Sequence, residues 1–342
     1  VLQYFMKKYG LMTDRDFVWH DFSVEEEIVR HRLKIVRDDF RIEEIAEKAK
    51  DKKILIICNT VSRAQCIYEK LKEEGVEPGL LHSRFIREHR EILERKIMAF
   101  SADDTETGVW VTTQIVEASL DIDFDILYTE MCTADSLLQR MGRCNRAGKK
   151  DISTPNIIIY DNASGRGTVY DRDIYDRSGK LLQEKDGELF SEADKTAYIN
   201  AVYDVERIKR TKYFKRIEEN LEHLCDLGPA EYDMKEAQKD FRGIQSITVM
   251  PEKVYLENLE EIEEIQALFR APHADRGIRN FKKARLADMT LSLNPRYGMP
   301  GSIDKNTIEL FDIHRTRLAY EFDGETGLGL CLNKVEDEDI FL

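Results

Sequence analysis

The sequence predicts an α/β protein with a parallel sheet covered by helices on both faces. Between Lys52 and Tyr160, short apolar segments alternate with amphipathic helical patterns. The first segment, Ile54–Cys58, is apolar throughout, which is typical of a strand buried on both faces. Strands that alternate with helices of this length indicate parallel pairing through helical crossovers, with ligands bound at the carboxyl ends of the strands.

The elements of this region follow from their individual patterns. A helix opens at Ser62, carries Ala64, Ile67 and Leu71 on its inner side, and ends at Gly75. The other predicted elements are a strand at Leu80–His82, a helix from Ile86 to Phe100, and strands at Val109–Thr112, Ile126–Tyr128 and Ile157–Tyr160.

The segments before and after this region have different patterns. Residues 1–50 predict helices around a strand at Phe17–His20, and the composition of residues 161–179 predicts a loop or hinge. Residues 191–227 predict one or two charged helices. The last hundred residues predict a small mixed domain with strands at Ile247–Met250, Thr290–Leu293 and Ile308–Phe311, and a hairpin about Asp323-Gly324.

Two local patterns have competing interpretations. Aromatic and basic residues interleave at Lys209–Arg216, and we favour a packed amphipathic helix there over a contact with nucleic acid. The dipeptide His20-Asp21 resembles a metal-ligand pair of a nuclease family. We interpret it as a coincidence, because no further His or Asp lies nearby at a spacing that would complete a metal site.

Composition excludes several classes of protein. The chain has 342 residues, of which 42% are hydrophobic and 35% charged, and no apolar run reaches the length of a membrane span. Its six cysteines show no C-x-x-C spacing, which argues against a zinc site and favours a reduced cytoplasmic setting. The net charge of −14 argues against nonspecific coating of nucleic acid but leaves room for a local basic groove.

Polar residues follow three of the predicted strands. Their side chains are small hydroxyls, amides, an imidazole and a guanidinium, and parallel strands would place them along one rim of the sheet, where they suit contacts to a phosphate backbone. Ordinary helix capping is the alternative for the residues that precede a helix. The residues are Asn59, Thr60, His82, Ser83, Arg84, Thr113 and Gln114.

Three arginines lie within seven residues, around a glycine, in the segment Gln139–Arg146. On a continuous helix, Gln139, Arg143 and Arg146 would point the same way. A guanidinium is permanently charged and offers a planar fork of donors, so such a row can bind a polyphosphate. Gly142 inside the row suggests a close approach to the backbone. A solvated basic helix face is the alternative.

These segments resemble known helicase motifs. Ile54–Thr60, Leu81–Arg84, Thr113–Asp123 and Gln139–Arg146 are similar to motifs IV, IVa, V and VI of superfamily 2 helicases, in that order, which together form the second of two RecA-like domains. More narrowly, residues 113–125 and 138–146 resemble the CRISPR-associated helicase-nuclease of type I systems. The segments Tyr320–Asp323 and Gly327-Leu328 resemble its C-terminal domain.

The resemblance implies roles for individual residues. Arg143 and Arg146 would act as arginine fingers on the ATP γ-phosphate with Gln139 beside them, and Asp121, Glu117 and Gly142 would face the nucleotide. The polar residues that follow the strands would hold the backbone of single-stranded DNA. Ser119 departs from the glycine that is usual in the broad superfamily and agrees with the narrower family.

Other expected parts of such an enzyme are not found in this sequence. It contains no G-x-x-x-x-G-K-[ST] phosphate loop and no Asp-Glu box, so we expect ATP and Mg²⁺ to be bound mainly by an N-terminal half with the first RecA-like domain and a nuclease domain. By itself the chain is expected to be inactive as an ATPase. Because it begins at Val1 on a helical pattern, we expect a fragment or a processed product.

The predicted organisation is a connecting segment at 1–50, a second RecA-like domain at 51–165, a helical linker at 166–242 and an accessory domain at 243–342. The expected function is ATP-dependent translocation or unwinding of DNA in type I CRISPR interference. The expected partners are single-stranded DNA, the N-terminal half and the CRISPR surveillance complex. Two alternatives stay open: a different superfamily 2 DNA or RNA helicase, and a separate subunit that binds nucleic acid or protein without hydrolysing ATP.

Overall fold

A computed structural model describes residues 2–10, 29–117, 120–226, 246–271, 275–294, 302–308 and 311–335. The predicted strand at Phe17–His20, the dipeptide His20-Asp21 and the departure at Ser119 lie outside these residues. Part of the predicted strand Ile308–Phe311 does so as well.

The main sheet has seven strands, and several neighbours in the sheet are not consecutive in the chain, so the chain crosses over between them. In chain order the strands are β1 (His31–Val36), β2 (Lys53–Ile57), β3 (Gly79–Leu81), β4 (Gly108–Thr112), β5 (Ile126–Glu130), β6 (Ile157–Tyr160) and β7 (Leu189–Phe190). The order across the sheet is β3-β4-β2-β5-β6-β1-β7. The pairs β3/β4, β2/β5, β5/β6 and β1/β6 are parallel, and the short β7 pairs antiparallel with β1. The prediction of an α/β fold with a RecA-like, mostly parallel sheet is therefore confirmed.

The apolar composition of the strands explains their central position. All five residues of β2 and all four of β6 are buried, so these strands have no face toward water. Ile54 pairs with Ile126, and Leu127 pairs with Ile157, which continues the apolar layer from strand to strand.

Helices connect these strands and follow them. They are α1 (Leu2–Lys8), α2 (Ile42–Lys48), α3 (Val61–Glu73), α4 (Arg87–Ala102), α5 (Ala134–Met141), α6 (Arg172–Leu182), α7 (Glu192–Val202), α8 (Val205–Ile208) and α9 (Lys212–Asp226). Short 3₁₀ turns occupy Gln114–Val116 and Gln183–Lys185. The loop predicted for residues 161–179 is wrong in its second half, because the Asp171 carboxylate caps α6 by accepting hydrogen bonds from the Asp173 and Ile174 amides.

A smaller sheet forms near the end of the chain, as predicted. It contains β8 (Ile247–Pro251), β9 (Leu291–Leu293), β10 (Ile303–Ile308) and β11 (Ile313–Thr316) in the order β10-β11-β8-β9. Helices α10 (Glu252–Glu257), α11 (Leu259–Arg270) and α12 (Arg276–Asp288) lie between β8 and β9 in the chain. The predicted hairpin is confirmed as β12 (Leu318–Glu321) paired with β13 (Gly329–Val335), with Tyr320 opposite Leu330.

The chain divides into two compact units. The first comprises residues 1–41, 51–59 and 121–232, and the second comprises 42–50, 60–120 and 233–342. The first unit contains β1, β2, β5, β6 and β7, and the second contains β3, β4 and the smaller sheet. The boundaries predicted at residues 50, 165 and 242 stay a prediction.

Among the described residues, no helix is both long enough and apolar enough to cross a membrane. Cys58, Cys132, Cys144 and Cys331 are buried free thiols, as expected for small core residues.

Candidate nucleotide-binding site

Arg140 organises the carboxyl edge of the sheet in the first unit, although its side chain has no exposed surface. Its Nη1 donates hydrogen bonds to Thr129 Oγ1 at 2.8 Å and to the Glu130 carbonyl at 3.1 Å. Its Nη2 donates to Asn59 Oδ1 at 2.9 Å and to the Tyr170 hydroxyl at 2.7 Å. A buried charge is tolerated only when it is paired and hydrogen-bonded, and here one guanidinium joins the end of β2, the end of β5 and the loop after β6.

The Glu130 carboxylate holds the same edge from a second direction. It is 1% exposed and accepts hydrogen bonds from the Asn59 amide at 2.5 Å and from the Ser164 amide at 2.8 Å. The Ser164 hydroxyl donates to it at 3.0 Å. The loop after β6 is thus fixed to the ends of β2 and β5 by charged groups that water does not reach.

The arginine segment leaves the helix immediately after Arg140. Helix α5 ends at Met141, and Gly142 is its C-cap with φ −62°. The Arg143 carbonyl accepts from the Phe124 amide at 3.0 Å, and the Asn145 amide donates to the Phe124 carbonyl at 3.0 Å. The chain therefore forms a short parallel bridge to residues 123–125 instead of another helical turn.

The predicted helical row of Gln139, Arg143 and Arg146 is therefore wrong in its geometry. Gln139 lies exposed on α5, whereas Arg143 is half-buried and Arg146 exposed in the turn that follows. Gly142 has ordinary helical backbone angles, and a Cβ there would lie 3.2 Å from the Gln139 carbonyl oxygen. Tight packing against its own helix end, rather than an approach from outside, is what the structure shows at this glycine.

Asn145 holds the shape of this turn. It is 1% exposed and has φ +48°, a left-handed conformation that asparagine adopts more readily than most residues. Its Nδ2 donates to the Arg30 carbonyl at 2.9 Å, and its Oδ1 accepts from the Lys150 amide at 2.9 Å. The backbone direction between Arg143 and Arg146 is fixed by these contacts.

Carboxylates of the segment after Leu120 face the basic side chains of the turn. The Arg146 guanidinium forms an ion pair with Asp121, whose side chain is 87% exposed, and the Arg146 amide donates to Asp123 Oδ1 at 2.9 Å. Lys150 Nζ lies 3.3 Å from Asp123 Oδ2 and 3.1 Å from Asp125 Oδ1. Asp121 and Arg146, both predicted to face the nucleotide, are thus brought together.

Three of the predicted DNA contacts lie in the interior, among them Asn59 and His82. Asn59 is 2% exposed, and its side-chain Nδ2 donates to the carbonyls of Met131 and Ser164 at 2.8 and 2.7 Å. His82 has no exposed surface. Every hydrogen-bonding atom of these two side chains has a protein partner, so the prediction that they contact a DNA backbone is corrected to a structural role.

His82 shows its tautomer through its partners. Nδ1 accepts from the Arg84 amide at 3.1 Å, and Nε2 lies 3.1 Å from the Leu328 carbonyl, to which it donates. Burial, together with the nearby Arg84 charge, lowers the pKa of His82 to about 3, so the ring is neutral. Protonation would destroy the acceptor at Nδ1.

The other predicted DNA contacts differ in accessibility. Thr60 is the N-cap of α3 and accepts from the Arg63 amide at 3.3 Å, as the capping alternative expects. Ser83 is exposed, and the half-buried Arg84 donates to Ser62 Oγ at 3.3 Å. Thr113 is buried at 3% exposure. Gln114 begins the short 3₁₀ turn and Glu117 directly follows it, and both are half-buried.

Known proteins resemble this part of the chain in sequence. Residues 50–149 match the family described as CRISPR-associated nuclease/helicase Cas3, C-terminal. Over 247 residues the chain is 30% identical to the CRISPR-associated nuclease/helicase Cas3 of Methanothermobacter thermautotrophicus, covering 70% of this chain and 29% of that protein. Over 170 residues it is 34% identical to the Escherichia coli CRISPR-associated endonuclease/helicase Cas3, covering 44% of this chain and 19% of that protein.

The chain is similar in sequence to the C-terminal part of Cas3 proteins.

Solved Cas3 structures share the fold. The crystal structure of T. fusca Cas3 with ATP has a TM-score of 0.61 and 18% identity, and the alignment covers 88% of this chain and 42% of that one. A CRISPR RNA-guided surveillance complex, pre-nicking, contains a chain with a TM-score of 0.58 and 18% identity, covering 88% of this chain and 44% of that one. The chain spans less than half the length of these relatives, and the resemblance identified from the motifs is confirmed.

The match to the Cas3 family includes residues that sequence reasoning did not assign. Arg140 and Asn145 stand inside the motif that carries the resemblance, but a buried arginine cannot be distinguished from an exposed one by spacing alone. Glu130 gave one signal, since a carboxylate at the end of a buried strand is unusual unless it is hydrogen-bonded or binds a ligand. Its partner Ser164 lies 34 residues away, beyond any local pattern.

Proposed function

We propose that this chain is the C-terminal half of an ATP-dependent enzyme that moves along or unwinds single-stranded DNA in type I CRISPR interference. The observation that carries the proposal is the turn bearing Arg143 and Arg146. It follows an arginine anchored in the sheet, is bridged to Phe124, and lies within the segment that matches the Cas3 family.

The two arginines supply charge to a phosphate group. Negative charge is spread over the γ-phosphate oxygens in the transition state of ATP hydrolysis, and a guanidinium placed beside them stabilises that state. Arg143 is half-buried, and its main chain is held on both sides, by the Arg140 carbonyl at 2.9 Å and by Phe124. Such a pre-positioned cation loses little freedom when a nucleotide arrives, and we assign it the principal role.

To contact a phosphate, Arg146 must first leave its ion pair with Asp121. Its guanidinium is 49% exposed and is paired with Asp121 on the surface. Exposed ion pairs contribute about 0–1 kcal/mol, so displacement of Asp121 by a triply charged phosphate costs little free energy. The released Asp121 is then available to accept a hydrogen bond from a ribose hydroxyl, which is the nucleotide-facing role predicted for it.

Binding of ATP and Mg²⁺ requires residues other than Arg143, Arg146 and Asp121. Among the described residues there is no cluster of three His, Cys, Asp or Glu that could hold a metal ion. We propose that Mg²⁺ and most of the ATP are held by a first RecA-like domain, and that without it the chain does not hydrolyse ATP.

The DNA-facing role rests on fewer residues than the sequence suggested. Ser83, Arg84 and Gln114 keep exposed or half-exposed side chains in the second unit and are the candidates that we retain. Thr60 and Thr113 contribute through local backbone structure. We propose a CRISPR surveillance complex as the partner of the assembled protein, and the fold shared with a chain of such a complex supports this. We also propose a cytoplasmic setting.

The test is made in the protein that carries both RecA-like domains. Arg143→Ala should lower DNA-stimulated ATP turnover by about 10³-fold or more, the range of an arginine finger, while binding of single-stranded DNA is retained. Lys149→Ala, an exposed cation in the same turn, is the matched control and should leave turnover unchanged. Near-normal turnover of Arg143→Ala would show that the finger assignment is wrong.

A mixing experiment separates the rival functions. The purified chain should show no ATPase activity, and addition of an N-terminal half with a phosphate loop should produce DNA-stimulated hydrolysis. Binding of nucleic acid without any hydrolysis after mixing would favour a separate non-hydrolysing subunit. Stimulation by RNA in preference to DNA would favour a different superfamily 2 helicase.

A further inference from the structure

A basic cavity lies in the first unit between the loop after β6 and helix α9, outside the residues assigned so far. Its volume is about 770 Å³, within the range of ligand sites. Four basic side chains line it, against the carboxylates of Asp171 and Asp173. The basic residues are Arg166, Arg172, Lys212 and Arg216, and all four are exposed. This excess of positive charge stands out in a chain of net charge −14.

Internal ion pairs use only part of this charge. Arg166 is paired with Asp176 through two guanidinium nitrogens, and Arg216 lies 4.0 Å from Asp171. Arg172 and Lys212 form no ion pair within 4 Å in the part of the chain that the structure describes. Two cations on different helices therefore face the cavity with their charge available to an anion.

The backbone of the loop indicates which kind of anion fits. The amides of Thr168, Val169 and Tyr170 all donate to the Gly165 carbonyl, and the Gly167 amide donates to the Tyr170 carbonyl. A free polyphosphate is typically cradled by convergent backbone amides, and these amides are already used. Separate cationic side chains instead suit phosphates spaced along a strand.

The wall between the cations offers apolar surface as well. Val169 is 46% exposed, and the half-buried Tyr170 lies beside it. Bases and sugars of single-stranded nucleic acid contact such surfaces without regard to sequence. Tyr170 is fixed by Arg140, which donates to its hydroxyl at 2.7 Å, so the cavity wall is tied to the residue that anchors the arginine turn.

We propose that this cavity is a binding site for the sugar-phosphate backbone of single-stranded DNA, with Arg172 and Lys212 as its principal phosphate contacts. The proposal rests on the proposed function for the identity of the polynucleotide, and it adds a site in the first unit to the candidates in the second. It also gives a physical link, through Tyr170 and Arg140, between bound DNA and the turn that carries Arg143.

Binding of a short fluorescein-labelled oligothymidylate to the unmodified 342-residue chain tests the site by anisotropy. The double variant Arg172→Ala/Lys212→Ala should bind at least about tenfold more weakly at low salt, and its log-log salt slope should fall by about 1.4 units, since each phosphate contact to a single strand contributes about 0.7. The double variant Lys180→Ala/Lys215→Ala is the control. It removes exposed cations from the same two helices that do not line the cavity, and it should bind like the unmodified chain.

Several outcomes would overturn the site. They are equal affinity and slope in the two double variants, no binding by the unmodified chain at low salt, and displacement of the oligonucleotide by equimolar pyrophosphate, which would indicate a free polyphosphate instead. Circular dichroism establishes that the variants are folded. Because hydrolysis is not measured, a failure here leaves the Arg143 test intact, and a failure of that test leaves this one intact.

Discussion

Replacement of Arg140 by alanine should lower the free energy of unfolding much more than replacement of the exposed Gln139 on the same helix. The guanidinium makes four hydrogen bonds, to the buried Thr129, Glu130 and Asn59 and to the half-buried Tyr170, at 2.7 to 3.1 Å. Hydrogen bonds from a charged donor contribute about 1.5–3 kcal/mol each, and part of this is offset because the desolvated charge is removed. We expect a net loss of about 3–5 kcal/mol in the free energy of unfolding.

Arg140→Lys separates charge from geometry. One ammonium group cannot reach the partners of both Nη1 and Nη2, so about two of the four bonds are lost and we expect a loss of about 2–3 kcal/mol. The assay is urea unfolding followed by far-UV circular dichroism, with Gln139→Ala, exposed on the same helix, as a control within about 0.5 kcal/mol of the unmodified chain. A loss below about 1 kcal/mol for Arg140→Ala would refute the role assigned to this network.

Two further predictions concern buried groups. Burial holds the pKa of His82 at about 3, below the ordinary 6.5, so the unfolded chain takes up the proton first. Stability from this group is full above pH 6.5 and is lost as the pH falls toward 3, by about 2 kcal/mol at pH 5. His82→Gln should flatten the decline in urea stability between pH 7.5 and 5, and an unchanged slope would contradict the pKa. At Asn145, with φ +48°, alanine should be less stable than glycine by about 1 kcal/mol in thermal or urea unfolding, and equal stability would contradict the strained backbone.

The central strands were predictable because their residues are almost all apolar, which is typical of strands buried on both faces. Ile54–Ile57 and Ile157–Ile159 are buried on both faces, and continuous apolar runs of this length identify such strands. β1 was not predicted, because Arg32 and Lys34 interrupt its apolar residues. These two side chains turn away from the core, and Lys34 pairs with Asp186, a contact that no local pattern reveals.

The site was predictable in its residue types and less so in its geometry. The spacing of Gln139, Arg143 and Arg146 implied a continuous helix, but pairing of the chain with Phe124 ends the helix at Met141. That pairing is non-local, and nothing in the sequence spacing encodes it. The placement of Asn59 and His82 failed for the same reason, since their partners Ser164 and Leu328 lie 105 and 246 residues away.

The anchoring of Arg140 also determines what kind of movement the arginine turn can make. A loop bearing a catalytic side chain often swings on its own, but here the chain three residues before Arg143 is bonded to the ends of two strands and to the following loop. If the turn moved alone, the hydrogen bonds of Arg140 would break. If the turn and the sheet moved together, these hydrogen bonds would be kept. If Arg143 contacts a nucleotide as we propose, it should therefore reach or leave that nucleotide only when the sheet moves with it, by rigid-body displacement and not by movement of the loop alone.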